Sequence, residues 1–264
     1  MIPLREQEVI RARFERELEG RVRIDYFTRK PLKVVLPGRE ACAFCEDVRR
    51  LLQEIAGLSE RVTLSVREFD DDRQAAGRLG VDKIPGIVIR GALNRPVRFF
   101  GVPATRQFPV FLETVIQASR TVSPVPPVVA RTLKKVRREV DLTVFVAPLC
   151  PHSPAVAFVG AMIGLASPRV RTEIVELAEF PHLAEKHQVQ ALPTTIIDRR
   201  HVLVGALEPE ALAEALVQAS AEEPSALAPP THRHAGPATP FQLPAPEERP
   251  AERRTAGGLI LPGR

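Results

Sequence analysis

The chain has no tryptophan, one tyrosine, two methionines and three cysteines among its 264 residues. Each scarcity removes a class of protein. So few cysteines exclude a secreted scaffold stapled by disulfides, and they fall short of a self-contained four-cysteine zinc site. With aromatic residues at 5%, platforms for stacking nucleic-acid bases are missing. No run approaches the ~18 apolar residues that cross a bilayer. Met1–Gly20 alternates charge with Val9, Ile10, Phe14 and Leu18 at helical spacing, without the unbroken apolar stretch of a signal peptide. A cytoplasmic protein with no membrane partner is expected. The formal charge of +5 hints at nucleic acid, but 31 of the 37 basic residues are arginines scattered among acids, with no basic arm. No nucleic-acid partner is expected.

What is present suits a folding chain, with 44% hydrophobic and 26% charged residues and a length for two domains. The chain also repeats itself. Cys42 and Pro85 are 43 residues apart, as are Cys150 and Pro193, and the two sets are offset by 108. The same order of features surrounds both. A helix (Glu8–Leu18; Ala130–Glu139) precedes a β run (Val22–Thr28; Leu142–Ala147), and a cysteine opens a second helical stretch (Cys42–Ile55; Cys150–Leu165). A strand (Val62–Arg67; Val170–Val175) leads to a short helix (Arg73–Leu79; Pro181–His187) and then to an X-Pro before another β run (Ile87–Arg90; Thr194–Asp198). A glycine-containing strand (Phe99–Gly101; Val202–Gly205) and a closing helix (Phe108–Ser119; Pro209–Ser220) finish each half.

Each half therefore reads as a small α/β unit with a central mixed sheet. The expected division is 1–122, 123–220 and a tail over 221–264, joined at the proline-rich Thr121–Ala130. Arg29–Ala41 reads as an enlarged loop before the first cysteine, with Leu32–Leu36 as an alternative central strand. The tail holds 9 of the 26 prolines with five arginines against five glutamates, a composition expected to stay disordered. Its last apolar island, Gly258–Pro262, is at most a short docking peptide.

Cys42-Ala43-Phe44-Cys45 carries the chemistry. Residues i and i+3 at a helix start can bring their sulfurs within disulfide reach, and free backbone N–H groups there stabilise a thiolate at the first position. Cys42 is expected to attack a substrate disulfide and Cys45 to resolve the mixed disulfide, with Arg39 adding positive potential. Half of a zinc site is the alternative, but no second Cys or Cys/His pair stands at suitable spacing, so no metal is expected. Ile84-Pro85 and Leu192-Pro193 are the second signal. A cis proline leading into a strand beside the cysteines exposes the preceding residue's backbone, to which an extended substrate can add as a strand.

These features resemble a known family. Cys42–Cys45, Val97–Ala104, Val144–His152 and Gln188–Pro193 resemble the tandem thioredoxin folds of the glutaredoxin-like protein disulfide oxidoreductases of thermophiles, over roughly residues 5–220. The N-terminal tandem of the alkyl hydroperoxide reductase flavoprotein is a related pattern with one dithiol. The resemblance implies dithiol–disulfide exchange on protein disulfides, an active dithiol in each half, no cofactor beyond the redox disulfide, and electrons from a thioredoxin-reductase-type flavoenzyme.

The second site departs from that pattern. It reads Cys150-Pro151-His152-Ser153, and serine cannot resolve a mixed disulfide. Cys150 is left as a monothiol served by a small thiol, as a trap for partners, or as a relic in a half that binds substrate; the last is preferred. His152 adds a proton-dependent charge beside it. Glu68 and Glu176, related by the same 108 offset, are candidate proton shuttles, with paired surface charge as the plain alternative. His182 and His187 read as surface histidines, and His232 and His234 in the tail lack further metal ligands.

The reading is a thiol–disulfide oxidoreductase acting through Cys42 and Cys45 in the reducing direction. One alternative is an electron adaptor between a flavin disulfide reductase and a peroxiredoxin. Another is a thioredoxin-fold binding module, or an iron–sulfur carrier through a monothiol, against which Pro151 argues.

Overall fold

The computed structural model describes residues 2–30, 42–222 and 231–241, and backbone pairing alone at 253–254 and 260–261. The Arg29–Ala41 loop beyond Lys30, the Leu32–Leu36 alternative and Arg39 lie outside the described residues.

The first half runs α1 (Leu4–Glu17), β1 (Val22–Thr28), α2 (Cys45–Ala56), β2 (Val62–Glu68), α3 (Arg73–Leu79), β3 (Gly86–Arg90), β4 (Val97–Phe100) and α4 (Phe108–Ala118). The second half repeats it as α5 (Pro127–Leu133), β5 (Val140–Val146), α6 (Ser153–Ala166), β6 (Val170–Glu176), α7 (Pro181–His187), β7 (Ala191–Leu192), β8 (Thr194–Ile197), β9 (His201–Val204) and α8 (Pro209–Ala221). Each β-α-β crossover gives a parallel pair, Val22 facing Val62 and Val140 facing Val170. Each proline-led strand then returns antiparallel, Tyr26 facing Ile87 and Val144 facing Thr195. The halves join edge to edge where β4 and β6 run parallel, Phe99 facing Ile174. With the tail strand β10 (Thr231–His234) the result is one nine-stranded sheet ordered β10-β9-β8-β5-β6-β4-β3-β1-β2.

The two-residue period of the strands divides their side chains between two cores. Tyr26, Phe99, Val144 and Ile174 face a layer built by α1, α2, α4, α5, α6 and α8. Their neighbours Phe27, Phe100, Phe145 and Val175 face the opposite layer, covered by α3 and α7. On α2 the buried Cys45, Val48, Leu52 and Ile55 fall three or four apart, one face of a helix. On α6, Gly160 and Gly164 let the backbone lie close on the sheet, because a Cβ there would stand 2.9 Å from the Val144 side chain and 2.6 Å from the Thr172 hydroxyl.

Three expectations are corrected in detail. The helix expected over Ala130–Glu139 begins earlier, with Pro127 in its first turn, and ends at Leu133. The cysteines precede their helices rather than opening the stretch: α2 starts at Cys45 after the cap residue Phe44, and α6 at Ser153 after His152. The expectation of a structureless tail is narrowed by β10, which runs parallel to β9, and by β11 (Thr239–Pro240), which runs antiparallel to β7. These short strands have no core of their own and form because open sheet edges supply their backbone partners. In the apolar island, Ile260–Leu261 pairs with Arg253–Arg254 as β13 and β12. No helix among the described residues is long and apolar enough to cross a membrane.

Candidate active site and its counterpart in the second half

In the first half Cys42 and Cys45 form a disulfide, with their Cα atoms 5.5 Å apart. Cys45 is buried as the first residue of α2, whereas Cys42 is half-buried in the turn before it. Ala43 and Phe44 stand exposed between them. Underneath, the buried Tyr26 hydroxyl donates to the Cys45 carbonyl at 2.6 Å, tying the start of α2 to the centre of β1. Burial pushes the Tyr26 phenol up to about 12, so it holds its proton at any ordinary pH.

Ile84-Pro85 and Leu192-Pro193 are both cis. In each half the proline carbonyl accepts from the glycine that follows β4 or β9, Gly101 at 3.1 Å and Gly205 at 2.8 Å. Both glycines have positive φ, +96° and +102°. What lies against them differs. Gly101 meets the second half at the seam, where a Cβ would stand 2.7 Å from Glu176 Cβ and 2.9 Å from Glu179 Oε1. Gly205 meets the tail at Gly236.

The expected proton-shuttle residues sit near strand ends. Glu176 ends β6, is buried, and caps the following turn by accepting from the N–H groups of Ala178 and Glu179 at 3.1 and 3.2 Å. Burial raises its pKa, opposed by those two bonds. Glu68 ends β2 and accepts from the Lys30 N–H at 2.9 Å. Sequence reasoning missed Glu179. Its Oε1 accepts from the Val102 N–H at 2.6 Å, while its Oε2 is buried without a hydrogen-bond partner among the described residues. Burial, with the neighbouring Glu176 charge, pushes Glu179 up to about 7 against the Val102 bond.

The second site is closed. Cys150 is a free, buried thiol, its S–H donating to the Leu192 carbonyl at 3.3 Å with Thr239 Oγ1 at 3.4 Å. Ser153, where a resolving cysteine would stand, is buried, and its hydroxyl accepts from the Ala147 N–H at 3.3 Å. Burial pushes the Cys150 thiol up, but hydrogen bonds from Ser153, Thr239 and the backbone of His152 and Ser153 outweigh it, and the pKa is lowered. His187 is not a plain surface histidine; it is half-buried with its ring 5.5 Å from that of Phe145. Among the described residues no group of three or more His, Cys, Asp or Glu is placed to hold a metal ion.

Tyr26, Glu179 and Thr239 are the site neighbours that sequence reasoning passed over. Tyr26, the chain's one tyrosine, was discoverable as the inward residue of an apolar strand. Glu179 and Thr239 reach partners 77 and 89 positions away, a distance no local pattern encodes.

No protein-family model matches the chain. The chain is 33% identical over 79 residues to a thioredoxin of Methanocaldococcus jannaschii, a match covering 30% of this chain and 93% of that protein. Its fold matches the crystal structure of the N-terminal domain of the alkylhydroperoxide reductase AhpF from Enterococcus faecalis with a TM-score of 0.72 and 19% identity, covering 82% of this chain and 100% of that one. It matches a protein disulfide oxidoreductase from Aeropyrum pernix equally, with a TM-score of 0.72 and 21% identity over 83% of this chain and 94% of the other. Two tandem thioredoxin-like folds are therefore present.

Proposed function

We propose, since the chain belongs to the thioredoxin family, that it is a thiol–disulfide oxidoreductase that reduces protein disulfides through Cys42 and Cys45. The observation that carries this reading is the Cys42–Cys45 disulfide itself, with Cys42 half-buried before the turn and Cys45 buried at the helix start.

In the reduced enzyme the Cys42 thiolate attacks a substrate sulfur. The substrate S–S bond breaks, a Cys42–substrate disulfide forms, and the departing thiolate takes a proton. The Cys45 thiolate then attacks Cys42 Sγ, re-forming the internal disulfide and releasing the second substrate thiol. Two electrons have passed from the dithiol to the substrate. A dithiol donor of the flavin disulfide reductase class restores the reduced state by the reverse exchange. The cis Ile84-Pro85 bond supports the substrate role, because Lys83 and Ile84, just before the proline-led strand, pair with no strand among the described residues. An extended segment flanking the target disulfide adds there. This exchange takes place in the cytoplasm.

Insulin reduction by dithiothreitol tests the reading. Turnover is expected to vanish in Cys42→Ser and to persist in Cys150→Ser; the opposite pattern overturns the assignment. A reduction potential for Cys42–Cys45 well above that of glutathione would reverse the direction, since ~30 mV is a tenfold change in a two-electron equilibrium. A second reading, an electron adaptor that hands reducing equivalents to a peroxiredoxin, is favoured by the fold match to the reductase's N-terminal domain. Peroxide consumption with a purified peroxiredoxin and a flavin disulfide reductase separates it from general disulfide reduction.

A further inference from the structure

The tail segment 231–241 stands in the second half where the seam stands in the first. β6 adds to the first half by running parallel to β4, and β10 adds to the second half by running parallel to β9, with Thr231 facing His201 and His234 facing Val204. Gly101 lies against Glu176 and Glu179 of the seam, and Gly205 against Gly236 of the tail. The tail then goes where nothing described goes in the first half. It turns through Pro237, whose carbonyl accepts from the Ala206 N–H at 2.9 Å, and lays Thr239–Pro240 antiparallel on Leu192 and Ala191. The Phe241 N–H donates to the Gln190 carbonyl at 2.8 Å, and the Phe241 ring packs on the apolar cluster around Cys150, Leu192 and Val202. Thr239 thereby places its hydroxyl 3.4 Å from Cys150 Sγ.

This is how an extended peptide adds to an open edge, with main-chain pairing, one side chain over the thiol and an apolar anchor beyond. We propose that residues 231–241 are a resident peptide ligand of the second half, making that half a peptide-binding module whose Cys150 is kept out of thiol exchange. The hold is built for release. All four residues of β10 are exposed, and a cavity of about 840 Å³ is walled by the body and the tail together, through Ala191, Val202, Val204, His232, His234 and Phe241. The segment is therefore held mainly by backbone pairing and the Phe241 anchor, and a competing extended peptide with an aromatic two residues beyond a small hydroxyl residue fits the same edge. The inference does not depend on the chemistry proposed for Cys42 and Cys45.

The test uses the full chain with Cys42→Ser and Cys45→Ser, so that Cys150 is the one thiol left. Its alkylation by iodoacetamide is followed by mass. Gly236→Val and Phe241→Asp are then added together; a Cβ at 236 would stand 2.6 Å from the Ala206 carbonyl oxygen, and the aspartate removes the apolar anchor. Alkylation is expected to rise about tenfold or more. A synthetic peptide of residues 231–241, Thr-His-Arg-His-Ala-Gly-Pro-Ala-Thr-Pro-Phe, is expected to slow it again. Equal rates with and without the two substitutions overturn the proposal. So does a rise that the peptide leaves untouched, because unfolding of the half would produce that rise without any binding site.

Discussion

Glu179 of the second half accepts a hydrogen bond from the backbone N–H of Val102 in the first, at 2.6 Å, and its other carboxyl oxygen is buried with no partner among the described residues. The adjoining Gly101 N–H reaches back to the Pro85 carbonyl. A carboxyl from one half therefore sits on the loop that positions the other half's cis proline. Burial raises its pKa to about 7 in the folded protein, from an unfolded value near 4.5. Between those values the unfolded chain releases this proton first, so stability falls as pH rises from about 4.5 to 7, and the penalty is complete above 7. Glu179→Gln keeps an oxygen for Val102 and removes the ionisation. The variant is expected to melt near the unsubstituted protein at pH 5 and above it at pH 8, by on the order of 2 kcal/mol. Equal melting at both values would show that the carboxyl is solvated.

Gly101→Ala tests the same seam from the other side. At φ +96° any side chain is strained, and this one would also press on Glu176 Cβ at 2.7 Å. A loss of about 2 kcal/mol or more is expected in urea denaturation. A second expected sign is faster amide exchange at Val102, as the bond to Glu179 is displaced.

The repeat of spacing made much of this arrangement legible. The 43-residue interval located both cis prolines, and Val22, Ile24, Tyr26, Phe27 and Thr28, interrupted only by Arg23 and Asp25, gave Val22–Thr28 its observed limits. Local pattern was weaker where neighbours disagree. Leu133 and Val136 keep the apolar spacing of a helix, but the like charges of Lys134, Lys135, Arg137 and Arg138 follow the last helical residue, Leu133. Composition read the tail correctly as a segment with no core of its own. It could not show that β9 and β7 offer free edges to it, because an edge becomes available only once the sheet is assembled. The partners of Glu179 and Thr239 were hidden for the same reason.

Tyr26→Phe isolates the support beneath the disulfide. The lost hydroxyl leaves the Cys45 carbonyl without its side-chain donor, at a cost of about 1 kcal/mol. The folded phenol ionises near 12 and the unfolded one near 10. The advantage of tyrosine is therefore complete below pH 10 and is lost as pH rises towards 12. Denaturant melts at pH 8 are expected to favour the tyrosine form, and at pH 11 the difference should shrink or change sign. A constant difference across both would place the phenol in contact with water.

Cys45→Ser separates attack from resolution. With Cys45 removed, Cys42 can still displace one sulfur of a substrate disulfide, but no neighbouring thiol releases the product. A stable mixed disulfide with a protein substrate is expected, visible as a mass increment lost on adding dithiothreitol. Cys42→Ser is expected to trap far less, because the remaining Cys45 is buried at the start of α2 and out of reach of a protein disulfide. Cys150 should not substitute for either, being covered by Leu192 and Thr239. Trapping through Cys150 in a Cys42→Ser, Cys45→Ser chain would mean that the second half takes part in exchange. Trapping by Cys42→Ser as strong as by Cys45→Ser would reverse the order of the two thiols.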